Sequence, residues 1–283
     1  HGHSDGLLVS AGSGAATHGV ATSMGIPKGF ISETLVAEFN RLDSVDRLMS
    51  RYRSDVAAII VEPIGGNMGV VPPMAGFLEG LRALADTHRS MLIFDEVITG
   101  FRVWDGGGQD LYNVRPDITW LGKIIGGGLP VGAYGAPKNV MDLVSPIGSV
   151  YQAGTLSGNP VTVAAGLATL TELAKPGTYE SLEAHGAALE KALWELSNRP
   201  LVINRVGSML TVFFGIPRAE TWTDISASDT ETYAQFFHFM LSRGIYFPPS
   251  QFEAMFVSTA HTMDDIREVY TQVREFYGAT KSA

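Results

Sequence analysis

The chain is predicted to be an α/β protein, with a mostly parallel sheet flanked by helices in a large domain over residues 1–175 and a smaller α+β domain over 176–283. Three observations predict this. Short apolar runs alternate with stretches of helical periodicity from Val56 to Leu173, the pattern of strands joined by crossover helices. One of those runs ends in an acid, Asp95, at the strand end where open α/β sheets form their ligand crevice. After Lys175-Pro176-Gly177 the pattern changes to a long amphipathic helix, two strands close in sequence and two further helices.

Taken in order, Val56–Val61 reads as a buried strand that stops at Glu62-Pro63. Ala75–His88 carries Phe77, Leu81 and Leu84 at helical spacing, and Met91–Phe94 is the next strand. Asp117–Leu121 and Val131–Gly135 are two further short strands. An alanine-rich helix over Asn159–Leu173 starts at a Gly-Asn-Pro turn signal. In the smaller domain, Tyr179–Leu196 is the amphipathic helix, Leu201–Val206 and Met209–Phe214 pair as antiparallel strands, and Thr230–Ser242 and Asp264–Tyr277 are helices. The stretch from Gly12 to Gly29, rich in glycine, serine and threonine, lacks periodicity and reads as a mobile loop.

Composition excludes several functions. A net charge of −9 leaves no basic stripe with which to neutralise phosphates, which argues against nucleic acid as a partner. No cysteine is present, so disulfides, thiolate zinc sites and iron–sulfur clusters are excluded. No apolar run approaches the roughly eighteen residues of a membrane span. His1 and His3 lack a third ligand at recognisable spacing, and no metal is expected. The chain opens on His1-Gly2-His3 without methionine, which reads as a fragment or a processed product.

The chemistry concentrates on two residues. Lys123 lies in Leu121-Gly122-Lys123-Ile124-Ile125-Gly126-Gly127-Gly128, and Asp95 closes Met91–Phe94 a short helix and loop away. A lysine able to form a Schiff base, and a carboxylate able to keep a ring nitrogen protonated, are the two groups that pyridoxal phosphate requires. Each has a plainer alternative: Lys123 as a solvated loop lysine, Asp95 as the cap of the following helix. The glycines from Gly126 to Gly128 mark either a hinge or a close approach of backbone to something bulky, such as a ring cofactor.

Five strings carry a resemblance. They are His1-Gly2-His3-Ser4-Asp5, Glu62 to Gly69, Phe94 to Arg102, Leu121 to Gly128 and Ala153 to Pro160. Together they resemble the class III aminotransferases of fold type I, and within them the glutamate-1-semialdehyde 2,1-aminomutase family. The similarity runs from His1 through Pro249-Ser250-Gln251-Phe252-Glu253. It implies a pyridoxal 5'-phosphate or pyridoxamine 5'-phosphate enzyme of tetrapyrrole biosynthesis. Its substrate would be a small amino-aldehyde, (S)-4-amino-5-oxopentanoate, and its product 5-aminolevulinate. In this resemblance Lys123 is the Schiff-base lysine and proton shuttle, with an amine made reactive by desolvation. Asp95 pairs with the pyridinium nitrogen, and Val97, two residues further along the strand on the same side, packs on the ring.

The resemblance also implies that Asn67 lies near the ring hydroxyl, its plainer alternative being a turn asparagine. Gly154 and Thr155 reach the cofactor phosphate of a neighbouring subunit, so the active site belongs to a homodimer. Ser157 and Asn159 then read as turn and helix-start residues. Glu253 approaches the site mouth, and the loop from about Gly12 to Phe30, with Ser13 in it, forms the gate. Ile98 stands where the family often has methionine, a change of shape with little change of volume. The family's ring-stacking aromatic residue, phosphate loop and substrate arginine fall upstream of His1, so this chain alone is expected to bind cofactor weakly and turn over poorly. A cytoplasmic location is expected, with a plastid as the alternative compartment. Two other functions stay open: an ω-amino acid transaminase using an external keto acid, and a catalytically incompetent fragment acting through protein contacts.

Overall fold

The computed structural model describes residues 1–9, 23–196 and 200–281. Ser13 and most of the expected gate loop lie outside the described residues.

A four-stranded sheet is built from β1 (Ala58–Val61), β2 (Met91–Asp95), β3 (Ile118–Gly122) and β4 (Gly132–Gly135), in that spatial order. The first two pairings are parallel, with Val61 opposite Phe94 and Asp95 opposite Trp120. β4 returns antiparallel to β3, Leu121 opposite Ala133. Its reversal follows from the connection: Lys123 to Val131 contains only a 3-10 turn, Lys123–Gly126, whereas a parallel return needs a crossover of about a dozen residues or more. Phe94 and Leu92, on one face of β2, are completely buried, while Met91 and Ile93 on the other face are partly covered.

Four helices of this half precede β4 and one follows it closely. They are α1 (Lys28–Ile31), α2 (Leu42–Tyr52), α3 (Phe77–His88), α4 (Gly107–Leu111) and α5 (Lys138–Met141). Helix α3 turns Phe77, Leu78, Leu81 and Ala85 onto Leu92 and Phe94, and α2 adds Val45 and Met49 to the same cluster. α2 is the one long helix that the sequence reading did not mark; Val45 and Met49, four residues apart, are its only buried anchors among polar and charged neighbours.

Helix α6 (Pro160–Leu173) begins as expected: the Asn159 side chain accepts from the Thr162 N–H at 3.0 Å, and proline occupies the first turn. α7 (Thr178–Leu193) runs into a 3-10 turn at Trp194–Leu196, so the expected helix over Tyr179–Leu196 changes pitch at its end. The second sheet has β5 (Leu201–Val206), β6 (Met209–Phe214) and a two-residue β7 (Met255–Phe256), all antiparallel. α8 (Trp222–Ile225), α9 (Thr230–Leu241) and α10 (Met263–Lys281) complete the chain. Phe236, fully buried, stacks on Phe247 and meets Phe276 and Phe214 edgewise or tilted, and so joins α9, α10 and β6 in one core.

The two sheets are tied together near the strand ends of the first. Ile64, Val70, Ile98 and Val103 share a cluster with Met209 and Ala254. The Arg102 guanidinium lies 4.2 Å over the Phe256 ring while its Nε donates to the Ile98 carbonyl, so the turn after β2 is clamped to β7.

Candidate active site

Three neighbouring parallel strands end at one edge, and each delivers an ionisable residue there. Glu62 follows β1, Asp95 ends β2, and Lys123 follows β3. This is the carboxyl edge at which open α/β sheets bind ligands.

Asp95 is only 7% exposed. Its Oδ2 lies 2.7 Å from His1 Nδ1, and its Oδ1 accepts the Val97 N–H at 3.1 Å. That second bond ends the strand, so Val97 lies in the turn beyond β2 and not along the strand as expected from sequence. The side chain of Val97 still faces the site: its Cγ1 would stand 3.2 Å from a Cβ on Gly122, the residue before Lys123. Each carboxylate oxygen has more than one lone pair, so Asp95 keeps acceptor capacity for a further donor such as a ring N–H.

Lys123 has φ +46°, in the left-handed region that a lysine seldom adopts. Such strain persists where surrounding structure over-determines it, and it concentrates at functional sites. The Lys123 side chain is exposed, and among the described residues it makes no hydrogen bond or close ion pair. Desolvation of the amine, expected from sequence, is therefore not provided by the packing of this chain.

The triple glycine has a different partner from the one expected. Gly127, at φ +57°, packs its backbone against the Ala165 carbonyl of α6, and Gly166 of α6 packs in return against the Ile125 carbonyl. A side chain at either position would collide with backbone, so the bulky object is the helix. These contacts hold the lysine turn down on α6.

Asn67 sits in the turn after Glu62-Pro63, and its amide donates to Glu62 Oε1 at 2.8 Å. The Gly66 N–H reaches Glu62 Oε2 at 3.3 Å. Although Glu62 as a residue is only half-buried, its carboxyl is enclosed. Burial pushes it up to about 7, with the Asp95 charge acting in the same sense and the Gly66 and Asn67 donors and the Lys123 charge opposing. The turn is anchored from the second sheet, where Gly69 N–H donates to the Phe252 carbonyl at 2.5 Å and Val70 N–H donates to Thr211 Oγ1 at 3.0 Å. Gly69 itself must be glycine: φ is +79°, and a Cβ would lie 2.5 Å from the Phe213 ring. The Ser250–Glu253 segment thereby docks beside the Asn67 turn, with the Glu253 side chain exposed.

Gly154 and Thr155 are placed elsewhere. They lie in an exposed turn before α6 whose bonding is local, with Ser157 N–H donating to the Gly154 carbonyl at 3.0 Å. Among the described residues no hydrogen bond joins them to Asp95 or Lys123. Sequence reasoning missed two participants. His1 was weighed only as a metal ligand, although its approach to Asp95 has no local signal in the chain. Glu62 had one: it ends an apolar strand just as Asp95 does.

A parallel-edge crevice with a strained lysine beside a buried, oriented carboxylate defines a ligand site of the α/β group-transfer kind. The family model for class-III aminotransferases matches residues 1–272, and the chain belongs to that family. Among curated proteins, the glutamate-1-semialdehyde 2,1-aminomutase of Desulforamulus reducens is 53% identical across 99% of this chain, and glutamate-1-semialdehyde 2,1-aminomutase 2 of Brevibacillus brevis is 51% identical across all of it. The chain spans 66% of the length of each. Among solved structures, an omega-transaminase from Sphaerobacter thermophilus superposes with a TM-score of 0.88 at 29% identity, covering 98% of this chain and 65% of that one. A glutamate-1-semialdehyde aminomutase from Pseudomonas aeruginosa gives 0.83 at 26%, covering 98% and 64%. Among the described residues no helix is long and apolar enough to cross a membrane.

Proposed function

We propose that this protein is a pyridoxal 5'-phosphate or pyridoxamine 5'-phosphate-dependent aminomutase that converts (S)-4-amino-5-oxopentanoate to 5-aminolevulinate for tetrapyrrole biosynthesis. The observation that carries the proposal is the pairing of Lys123 and Asp95 on adjacent strand ends, in a chain about half identical to proteins named for that activity. The donor set suits the cofactor: an amine with no hydrogen bond among the described residues, a carboxylate with acceptor capacity left over, and an apolar side chain, Val97, against the residue before the lysine.

When bound, the cofactor supplies an electron-withdrawing ring that makes the neighbouring carbon–hydrogen bonds acidic. Lys123 Nζ would be the amine that anchors it and, when free, the base that moves a proton at the reacting carbon. Asp95, fixed by His1 Nδ1 and the Val97 N–H, would hold a proton on a ring nitrogen placed against it. Val97 would supply an apolar surface for the ring, and Asn67 a side-chain amide near it. Gly154 and Thr155 would serve the phosphate of a partner subunit, a role that their exposure allows. Glu253 stands at the mouth, and Ser13 belongs to the gate.

The protein in this proposal is a cytoplasmic homodimer taking a small amino-aldehyde. Its two domains divide near residue 176, a boundary supported by the left-handed Gly177 that starts α7 and by the separate second sheet. An omega-transaminase activity is the second possibility, favoured by the TM-score of 0.88 to such an enzyme.

The test is an absorbance spectrum of the purified protein with pyridoxamine phosphate before and after adding (S)-4-amino-5-oxopentanoate, with 5-aminolevulinate assayed and no amino acceptor present. The expected result is a spectral response with product, both lost in Lys123→Ala. Turnover only on addition of a keto acid, with the amino group appearing on that acid and not in 5-aminolevulinate, identifies the transaminase and overturns the proposal.

A further inference from the structure

Two buried carboxyls at the carboxyl edge have no part in the chemistry above: Glu96, which is turned onto the Gly108 and Gln109 N–H groups of α4, and Glu62, which stays at the strand ends. β1 and β2 run in register, Val61 beside Phe94, so the next residue on each strand brings Glu62 alongside Asp95. The facing charged groups are Asp95 from β2 and Lys123 from the turn after β3; the polar donors are the Asn67 amide and the Gly66 N–H from its own turn. His1 lies on the far side, on Asp95 Oδ2. Two carboxylates side by side repel when both are charged, and an ammonium nearby relieves that repulsion.

We propose that Glu62 is a positioning residue: its carboxyl fixes the Asn67 side chain over the crevice and, by taking up or releasing one proton, balances the charges of Asp95 and Lys123. The proposal rests on the cofactor site being where Asp95 and Lys123 place it.

The consequence is a carboxyl group that is protonated in slightly acidic solution and charged in slightly alkaline solution. Its raised value, about 7, places that change in the neutral range. Below it, a neutral Glu62 removes the negative charge that would stand beside Asp95. Above it, the ionised carboxyl gives Lys123 a second anionic neighbour and grips Asn67 more firmly, since an ionised acceptor makes the stronger hydrogen bond. Asn67 orientation and cofactor environment should then follow one titration.

The test uses the chain without cofactor and then with pyridoxal phosphate. In the cofactor-free protein, infrared difference spectra across pH 5 to 9 should show a protonated-carboxyl band that disappears near pH 7, is absent in Glu62→Gln, and moves to higher pH in Asn67→Ala, where one stabilising donor is lost. With cofactor, the absorbance maximum of the wild type should shift over the same range, and the shift should be lost in Glu62→Gln. Identical infrared titrations in wild type and Glu62→Gln overturn the assignment, as does an Asn67→Ala midpoint that does not move. A merely structural Glu62 would change the stability of the variants but none of these midpoints. If the wild type takes up no cofactor at all, the cofactor site is overturned, while the infrared titration still decides whether Glu62 holds the proton.

Discussion

Asp95 stood out in the sequence because an acid at the end of an apolar strand is costly to bury, and in the folded chain it is buried. Lys123 carried no such signal by itself, since a lysine among glycines is ordinarily solvated; its left-handed backbone conformation shows only in the fold. His1 broke no rule in sequence, since its partner is ninety-four positions away. Glu62 carries a thermodynamic consequence of its own. Its folded value, about 7, exceeds its ordinary 4.5, so the folded state holds the proton more tightly than the unfolded chain does. Below pH 4.5 both states are protonated and the full stability is present. As pH rises through 4.5 towards 7, the unfolded chain ionises first and stability falls, levelling off above the folded value. Urea midpoints of the wild type should therefore decline relative to Glu62→Gln between about pH 4.5 and 7. A difference between the two proteins that stays constant across that range would show that Glu62 titrates normally.

At the scale of elements, strands and long amphipathic helices were readable, and connections were not. β5 and β6 match their expected bounds, and α6 starts at the asparagine that the Gly-Asn-Pro signal marked. The antiparallel turn of β4 was missed because orientation depends on what fills Lys123 to Val131, and a single 3-10 turn leaves no periodic trace. The glycines of that segment were legible as a close approach but not as an approach to α6, because the complementary Gly166 lies about forty residues on. The start of α6 can be tested. Asn159 accepts from Thr162 N–H and donates to the Leu156 carbonyl, so it joins the helix to the exposed turn holding Gly154 and Thr155. Asn159→Ala should cost about 1 kcal/mol of stability in chemical denaturation. It should also weaken cofactor affinity if that turn meets a phosphate. An unchanged denaturation midpoint would mean that the proline and the packing against the lysine turn hold the helix start without the cap.

At the scale of the whole molecule, α6 is turned inside out. Its inward face carries Thr162 and Gly166 against the 3-10 turn of Lys123, small residues that let the backbones approach. Its outward face carries Val163, 54% exposed, and Leu167, 67% exposed, four residues apart and therefore on one side. Leu156, Tyr151, Val150 and Ile147 extend the apolar surface into the turn before the helix. A helix normally presents its apolar stripe to its own core, and an exposed apolar surface of this extent marks an interaction site. A second copy is the occupant that fits the proposed function, because the same surface borders Gly154 and Thr155, which among the described residues make no hydrogen bond to Asp95 or Lys123. Replacing Val163 and Leu167 together with aspartate should convert a dimer to monomers in sedimentation velocity. The folded core should survive, since neither side chain contributes to it. Cofactor affinity should fall at least tenfold in the same variant, about 1.4 kcal/mol, as each monomer loses its partner's phosphate contacts. A variant that sediments as the wild type does would move the interface elsewhere, and one that becomes monomeric with undiminished affinity would return Gly154 and Thr155 to a purely structural role.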